Sequence, residues 1–314
     1  MDVVTFGETM ILMTPSKNGS LDNVPEFKRG MAGAESNAVI GLSRLGHEAA
    51  WISKLGSDSL GRFIYKTLRG EGVDVSKVRF DKTRPTAVFF KERNNDGKTH
   101  VYYYRRGSAA SELHIEDIPL SSFPSAKYLF LTGITPALSL TNRKTVMKSI
   151  DIAHSQSMKV VFDPNIRQKL WSLEEARKVL NEVSGKSDII IPGIDEGAIL
   201  TGYKEPGDIA QAYLDKGAEL VVVKLGAKGA YYRSPDEHGF VDGFNVQLVD
   251  EVGAGDAFTA GLLSGLLDGC DLPHAVSRAC ALGALAVTGY GDYEMLPYRN
   301  ELESFMSGAS KLQR

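Results

Sequence analysis

Residues 250–261, Asp-Glu-Val-Gly-Ala-Gly-Asp-Ala-Phe-Thr-Ala-Gly, hold the spacing in this chain that most invites chemistry. Gly253, Ala254 and Gly255 are small, so the backbone can turn sharply and aim successive amides at one point. The helix-forming run behind them adds the positive end of its dipole, which makes the loop an anion cradle. Asp256 places a carboxylate at the mouth of that cradle. The pair suits phosphoryl transfer to a hydroxyl: the amides stabilise phosphate charge while the carboxylate takes the hydroxyl proton. The competing reading is a glycine turn and a helix capped by an aspartate.

Other candidates are spread along the chain. Gly33 permits close backbone approach, and Asn37 offers a donor and an acceptor for sugar hydroxyls; a polar residue in a first helical turn is the plainer reading. Tyr103 and Arg105 alternate onto one face of a β-rich arm, where they suit a hydroxylated ligand that carries a carboxylate. A solvated strand with extended arginines is the alternative. Asp163, Asn165 and Arg167 directly follow a buried strand, the place where open α/β sheets bind ligands. Glu196 follows another strand and fits either a hydrated Mg²⁺ or a helix dipole. Lys224, Gly226 and Gly229 follow a third, with glycines that suit a turn against a flat ring such as adenine. Asp292 ends a weaker Gly-Tyr-Gly-Asp run.

Composition narrows what such a site can serve. The 314 residues, 43% hydrophobic and 24% charged, are those of an ordinary soluble globular protein. A net charge of −3 gives no general attraction to nucleic acid or acidic membranes and points to a small-molecule ligand. The two cysteines, Cys270 and Cys280, imply no disulfide framework and fit a reducing cytoplasm. No signal-peptide pattern precedes the first strand, and no apolar run reaches the ~18 residues of a membrane span. None of the six histidines pairs with another His or Cys at metal-ligand spacing, which speaks against a dedicated zinc site. There is no GxxxxGK[ST] phosphate loop, and Phe258 stands where a GxGxxG fingerprint requires its third glycine.

The elements that must position these residues alternate between β-rich and helical runs. Apolar β-rich segments at 3–6, 50–54, 128–131, 159–162, 188–191 and 220–224 predict strands, several of them buried on both faces as in a parallel sheet. Helical patterns lie between them, including 58–69, 140–155 and the run that Ser172 opens with a capping box to Glu175. This alternation predicts a doubly wound α/β sheet. Two segments break it. Residues 10–31 carry no clear helix. Residues 83–106 read as a hairpin, with a tight turn at Asp96-Gly97. Together they predict a small β appendage over one edge of a single α/β domain spanning 1–314. It serves either as a lid that excludes water or as a surface for dimer contacts, and the two are compatible. The tail after residue 306 is expected to fray.

In this order, the opening strand ending at Gly7-Glu8, AGAESN, LGSDSLG at 55–61, DPNIR at 163–167, KLGAKG at 224–229 and VGAGDAFTAG at 252–261 resemble the ribokinase-like (PfkB-type) carbohydrate kinases. The likeness covers nearly the whole chain. YYYRRGSAAS, TGITPALS and DPNIRQKLW narrow it toward the 2-keto-3-deoxygluconate kinases of that family; fructokinases share the last pattern. The cysteine usage points to a cytoplasmic enzyme, and the exposed edges of the lid hairpin to a homodimer or larger homo-oligomer through the lid. The resemblance implies a ribokinase fold with a β lid that closes on the sugar, ATP with Mg²⁺, and a sugar acid as acceptor, with a requirement for a monovalent cation left open. It implies Asp256 as base and Gly253, Ala254 and Gly255 as the anion hole. Gly33, Asn37, Tyr103, Arg105, Ile134, Arg167 and Asp292 would face the sugar acid. Lys224, Gly226, Gly229, Gly253 and Gly255 would face the nucleotide, and Glu196 the metal through water. A neutral-sugar kinase and a non-catalytic sugar-binding regulator on the same fold are the rival readings. The chain departs from the family pattern at Glu251, where Thr is usual, at Gly193, where Asn is usual, and at Phe89 or Phe90, where a lid Tyr is expected.

Overall fold

In the computed structural model, which describes residues 1–93 and 99–308, the apolar runs pair into one eight-stranded sheet. β1 (Val3–Phe6) lies inside it. The chain leaves through β2 (Met10–Pro15) and β3 (Phe27–Ala32), and α1 (Ala34–Arg44) brings it back to β4 (Ala49–Ile52), parallel to β1 on one side. A short excursion follows: β5 (Lys54–Gly56), α2 (Ser59–Gly70), β6 (Arg79–Asp81), β7 (Val88–Arg93) and β8 (Thr99–Tyr104). β9 (Tyr128–Thr132) then pairs parallel with the other side of β1. Through α3 (Ile134–Leu138), α4 (Leu140–Ser155), β10 (Lys159–Asp163), α5 (Leu173–Ser184), β11 (Ile189–Ile190), α6 (Ile194–Thr201), α7 (Pro206–Leu214) and β12 (Leu220–Lys224), the parallel sheet grows outward. β13 (Gly229–Arg233) and β14 (His238–Asp242) close that edge antiparallel. The chain ends in α8 (Ala254–Leu267), α9 (Leu272–Ala286) and α10 (Arg299–Met306).

The strands are apolar on consecutive positions because both faces are covered. Val3, Phe130, Val161 and Val222 pack with Val39 of α1, Leu262 of α8 and Ala279 of α9. Val4, Phe6, Leu129 and Phe162 pack on the other face with Val146 and Ile150 of α4 and Val179 and Val183 of α5. The order of strand addition reverses at β1, with β4 on one side and β9 on the other, so the carboxyl ends of β1 and β9 form the switch-point crevice in which such sheets bind ligands. Ser172 accepts the Glu175 amide at the start of α5, which is one half of the expected capping box, while Glu175 Oε1 accepts from Arg143 instead. No helix among the described residues is long and apolar enough to cross a membrane.

The two irregular segments join into a second sheet of order β3-β2-β7-β8. β2 runs antiparallel to β3 and parallel to β7, with Leu12 beside Phe89; Phe89 also pairs with Tyr103 across the β7–β8 hairpin. Met10, Leu12, Ala32, Ala87 and Phe89 form its small apolar core. The turn expected at Asp96-Gly97 lies outside the described residues, as does the tail from 309. The first arm begins at Val88 rather than at 83 because Thr86 is tied to the start of α2. Its amide and hydroxyl donate to the two oxygens of the N-cap Asp58 at 2.9 and 3.0 Å. The β13–β14 edge hairpin, which the apolar runs do not announce, is the main addition to the predicted architecture.

Candidate active site

α8 begins at the crevice. Its N-cap, Gly253, has φ +80° and ψ −10°, and a Cβ there would stand 2.2 Å from the carbonyl oxygen of Asp292, so only glycine fits. No side chain caps this helix. The amides of its first turn lack intrahelical acceptors and point outward. Asp256 is therefore not the cap. Its Oδ2 instead accepts from Asn37 Nδ2 at 2.8 Å, a link between α8 and α1. Burial pushes the Asp256 carboxyl up, while the Asn37 bond and the charges of Arg167 and Lys224 oppose the rise. A carboxylate moved in that direction is a stronger base.

On the lid side of Asp256 stand several of the expected sugar contacts. A Cβ on Gly33 would lie 2.6 Å from the Glu8 carbonyl oxygen, which explains the glycine at the end of β3. Asn37 Oδ1 is buried without a partner among the described residues, while its Nδ2 is committed to Asp256. The Ile134 amide donates to Thr132 Oγ1 at 3.1 Å, so the β9 end is held rigid. The hydroxyls of Thr132 and Thr135 donate to Glu35 Oε1 at 2.7 and 2.8 Å. Burial pushes the Glu35 carboxyl up to about 7. This buried acid was not singled out from the sequence. Arg167 is exposed beyond β10, close enough for its charge to act on Asp256. Arg105 lies 5.5 Å from the Tyr103 ring centroid, as expected from their alternation. It is not, however, a free guanidinium. Nε and Nη2 contact Glu8 Oε2 at 2.8 and 2.7 Å, and Ser108 donates to the other Glu8 oxygen. Phe89 is the inner of the two lid phenylalanines, 5.5 Å from Tyr103, whereas Phe90 packs on Phe27 at the outer face.

On the other side of α8 lies a cleft of about 610 Å³. Lys224, Gly226, Gly229 and Gly255 line it, as expected, and Gly253 sits at the turn beside it. The opposite wall comes from Phe244 and Val246 and from Cys280, Gly283 and Val287 of the α9 region. Small or apolar residues three and four apart on a helix mark this wall, a pattern that helix packing alone would also give. Glu251 is exposed at the cleft lining. Lys224 Nζ meets Asp163 Oδ2 at 2.6 Å beneath Gly255, and burial pushes Asp163 up to about 6 despite that ammonium. Glu196 spends one oxygen on the Gly193 amide and the other on the Ile166 amide, each at 2.8 Å. It thus caps α6, and Gly193 contributes its backbone where a polar side chain was expected. Asp292 is buried against the Gly253 turn; burial pushes its carboxyl up to about 7, against the pull of Lys91.

The crevice places a base and an anion cradle between a cleft and a β lid, at the switch point of a doubly wound sheet. That arrangement belongs to enzymes transferring phosphoryl groups to small hydroxylated molecules. More narrowly, residues 1–299 match the model of the pfkB family carbohydrate kinases, and the chain belongs to that family of sugar kinases. It is 44% identical over 311 residues to a 2-dehydro-3-deoxygluconokinase of Bacillus subtilis (strain 168), covering 98% of this chain and 96% of the relative. A 2-dehydro-3-deoxygluconokinase of Thermoproteus tenax is 35% identical, with 98% and 94% covered. A probable fructokinase-2 of Arabidopsis thaliana is also 35% identical, with 97% and 95% covered. Among solved structures, a putative ribokinase II from E. coli in complex with ATP and Mg²⁺ superposes with a TM-score of 0.90 at 27% identity, covering 98% of this chain and 99% of the other.

Proposed function

We propose that the protein phosphorylates the primary hydroxyl of 2-keto-3-deoxygluconate, the compound also called 2-dehydro-3-deoxygluconate, to its 6-phosphate at the expense of ATP. The observation that carries this reading is Asp256, held by Asn37 at the uncapped start of α8 between cleft and lid. The hydroxyl oxygen attacks the γ-phosphorus in line, its proton passes to Asp256, and the bond from γ-phosphorus to the bridging oxygen breaks. The amides of Gly253, Ala254 and Gly255 absorb the developing charge. ATP occupies the glycine-lined cleft beside Lys224, Gly226, Gly229, Gly253 and Gly255. Glu196 would hold Mg²⁺ through water, since each of its oxygens already accepts a backbone amide and Mg²⁺ keeps several of its waters. A bound Mg²⁺ would there supply positive charge against the phosphates.

Gly33, Asn37, Tyr103 and Ile134 face the sugar chain, and Arg167 takes the carboxylate that distinguishes a sugar acid from fructose, with Arg105 adding only the Nη1 that its pairing with Glu8 does not use. Asp292 backs the anion hole. The two free cysteines favour a cytoplasmic setting, and the lid sheet pairs two copies of the chain.

ADP release measured with ATP, Mg²⁺ and a panel of neutral sugars and sugar acids tests the reading. The sugar acid should give the highest kcat/KM. Arg167→Ala should lower kcat/KM on the acid about 100-fold, the worth of a charged hydrogen-bond pair, and leave weak use of fructose within about threefold. Preference for fructose would move the protein to the fructokinases. Binding without turnover on any substrate would make it a regulator.

A further inference from the structure

Lys91 stands on β7, in the middle of the lid sheet, yet its side chain is almost fully buried. Its Nζ lies 3.8 Å from Asp250 Oδ2 and 3.8 Å from Asp292 Oδ2. Both carboxylates belong to the main domain and flank the anion-hole turn. Asp250 Oδ1 accepts the Val252 amide at 3.3 Å, one residue before Gly253. The Asp292 carbonyl occupies the space where a Gly253 side chain would be. Asp292 Oδ2 is buried and has no hydrogen-bond partner among the described residues. A lid lysine therefore reaches across to two acids on which the cradle rests.

Two acids beside a cradle for phosphate are at odds with its purpose, and Asp292, raised to about 7 by burial, adds its charge as pH rises through that value. A unit charge ~6 Å from a phosphoryl group that gained a full charge in the transition state, at an effective dielectric constant of about 20, would change its rate about 100-fold, and proportionately less for the partial charge that develops. Glu251, at the cleft lining, adds to the same negative side. Among the described residues Lys91 is a cation close to the pair, and it is carried by the lid.

Resting on the kinase reading above, we propose that Lys91 is a positioning residue of phosphoryl transfer. Its ammonium compensates Asp250 and Asp292 and holds them against the Gly253 turn, so the anion hole is complete only while the lid covers the site. Sugar-acid binding beneath the lid and readiness of the phosphate site are then one event, which disfavours transfer to water when no sugar is bound.

The test compares wild type, Lys91→Ala, Lys91→Gln and Lys91→Arg by steady-state kinetics, with thermal denaturation of each. Lys91→Ala should lower kcat about 10–100-fold while the sugar-acid KM rises less than about fivefold, the split expected of a charge felt mainly in the transition state. Propylammonium chloride should restore at least about fivefold of that loss, and tetramethylammonium at equal ionic strength should not, because it cannot donate hydrogen bonds to the two acids. Lys91→Arg should keep kcat within about fivefold, since it retains the charge. If Lys91→Ala does not fold, the near-isosteric Lys91→Gln carries the same comparison. A kcat within about twofold of wild type in the neutral variants overturns the proposal, as does a loss that neither amine nor arginine repairs. Wild type that turns over no sugar acid overturns the kinase reading, and the proposal with it; wild type that does, with indifferent Lys91 variants, overturns the proposal alone.

Discussion

At the residue scale, the carboxylate of Asp256 is oriented by one side chain, Asn37, and tuned by its surroundings. Asp256→Asn keeps the shape and removes the base, so it should lower kcat about 10²–10⁴-fold with the fold intact; unchanged turnover would remove Asp256 from the mechanism. Glu35 makes a different prediction. Its carboxyl is buried and raised from 4.5 to about 7, so the folded protein binds a proton that the unfolded chain has already released between those pH values. The stability this group contributes is full below about pH 4.5 and is lost as pH rises through about 7. Glu35→Gln, neutral throughout, should therefore gain on wild type by about 2–3 kcal/mol between pH 5 and 8.5 in urea denaturation. A difference that stays flat over that range would show that Glu35 is not protonated in the folded protein. Asp256 was legible because its local pattern is dense, whereas Glu35 was not, because its partners Thr132 and Thr135 lie 97 and 100 residues away.

At the scale of elements, the anion hole depends on a backbone conformation more than on any side chain. Gly253→Ala forces an alanine into φ +80° against a carbonyl 2.2 Å away. The turn must open, and loss of the aimed amides should cut kcat about 10²–10³-fold with nucleotide binding weakened. Ala254→Gly, one residue on, keeps the amides and should cost less than about tenfold. Equal effects of the two would argue that the turn merely starts a helix. Elements buried on both faces, such as β9 and β10, are readable from consecutive apolar residues alone. The β14 edge strand is not, since three of its five residues are exposed and its His-Gly-Phe-Val-Asp sequence carries only two adjacent apolar residues. The lid strands were readable as a hairpin, but not their cross-domain ties. Glu8–Arg105 spans 97 residues, and Lys91 meets acids from two later loops. A local pattern carries no information about charges that only the complete fold brings together.

At the scale of the whole molecule, the lid sheet has two unlike faces. The inner one carries Phe89 and Lys91 toward the site, both buried. The outer one presents Phe27, Phe90 and Tyr104, with ring centroids 5.5 and 5.8 Å apart in edge-to-face contacts, and Tyr104 is 69% exposed. β8 is also the last strand of its sheet, with β7 as its neighbour, so it offers an open edge. An aromatic surface beside an open edge is a place for self-pairing, and a twofold axis through it would let each lid buttress the other. Light scattering coupled to size exclusion should give a mass of 68.2 kDa for the wild type, twice the chain mass of 34.1 kDa. Tyr104→Lys puts a charge at the centre of that surface, and should weaken the dimer at least about 30-fold, the effect of losing one aromatic anchor. A wild type that elutes at 34.1 kDa at micromolar concentration would leave the lid aromatics without a partner. A dimer indifferent to Tyr104→Lys would place the interface elsewhere. If the dimer forms as expected, disrupting it should also raise the sugar-acid KM, because an unsupported lid delivers Lys91 and Tyr103 to the site less often.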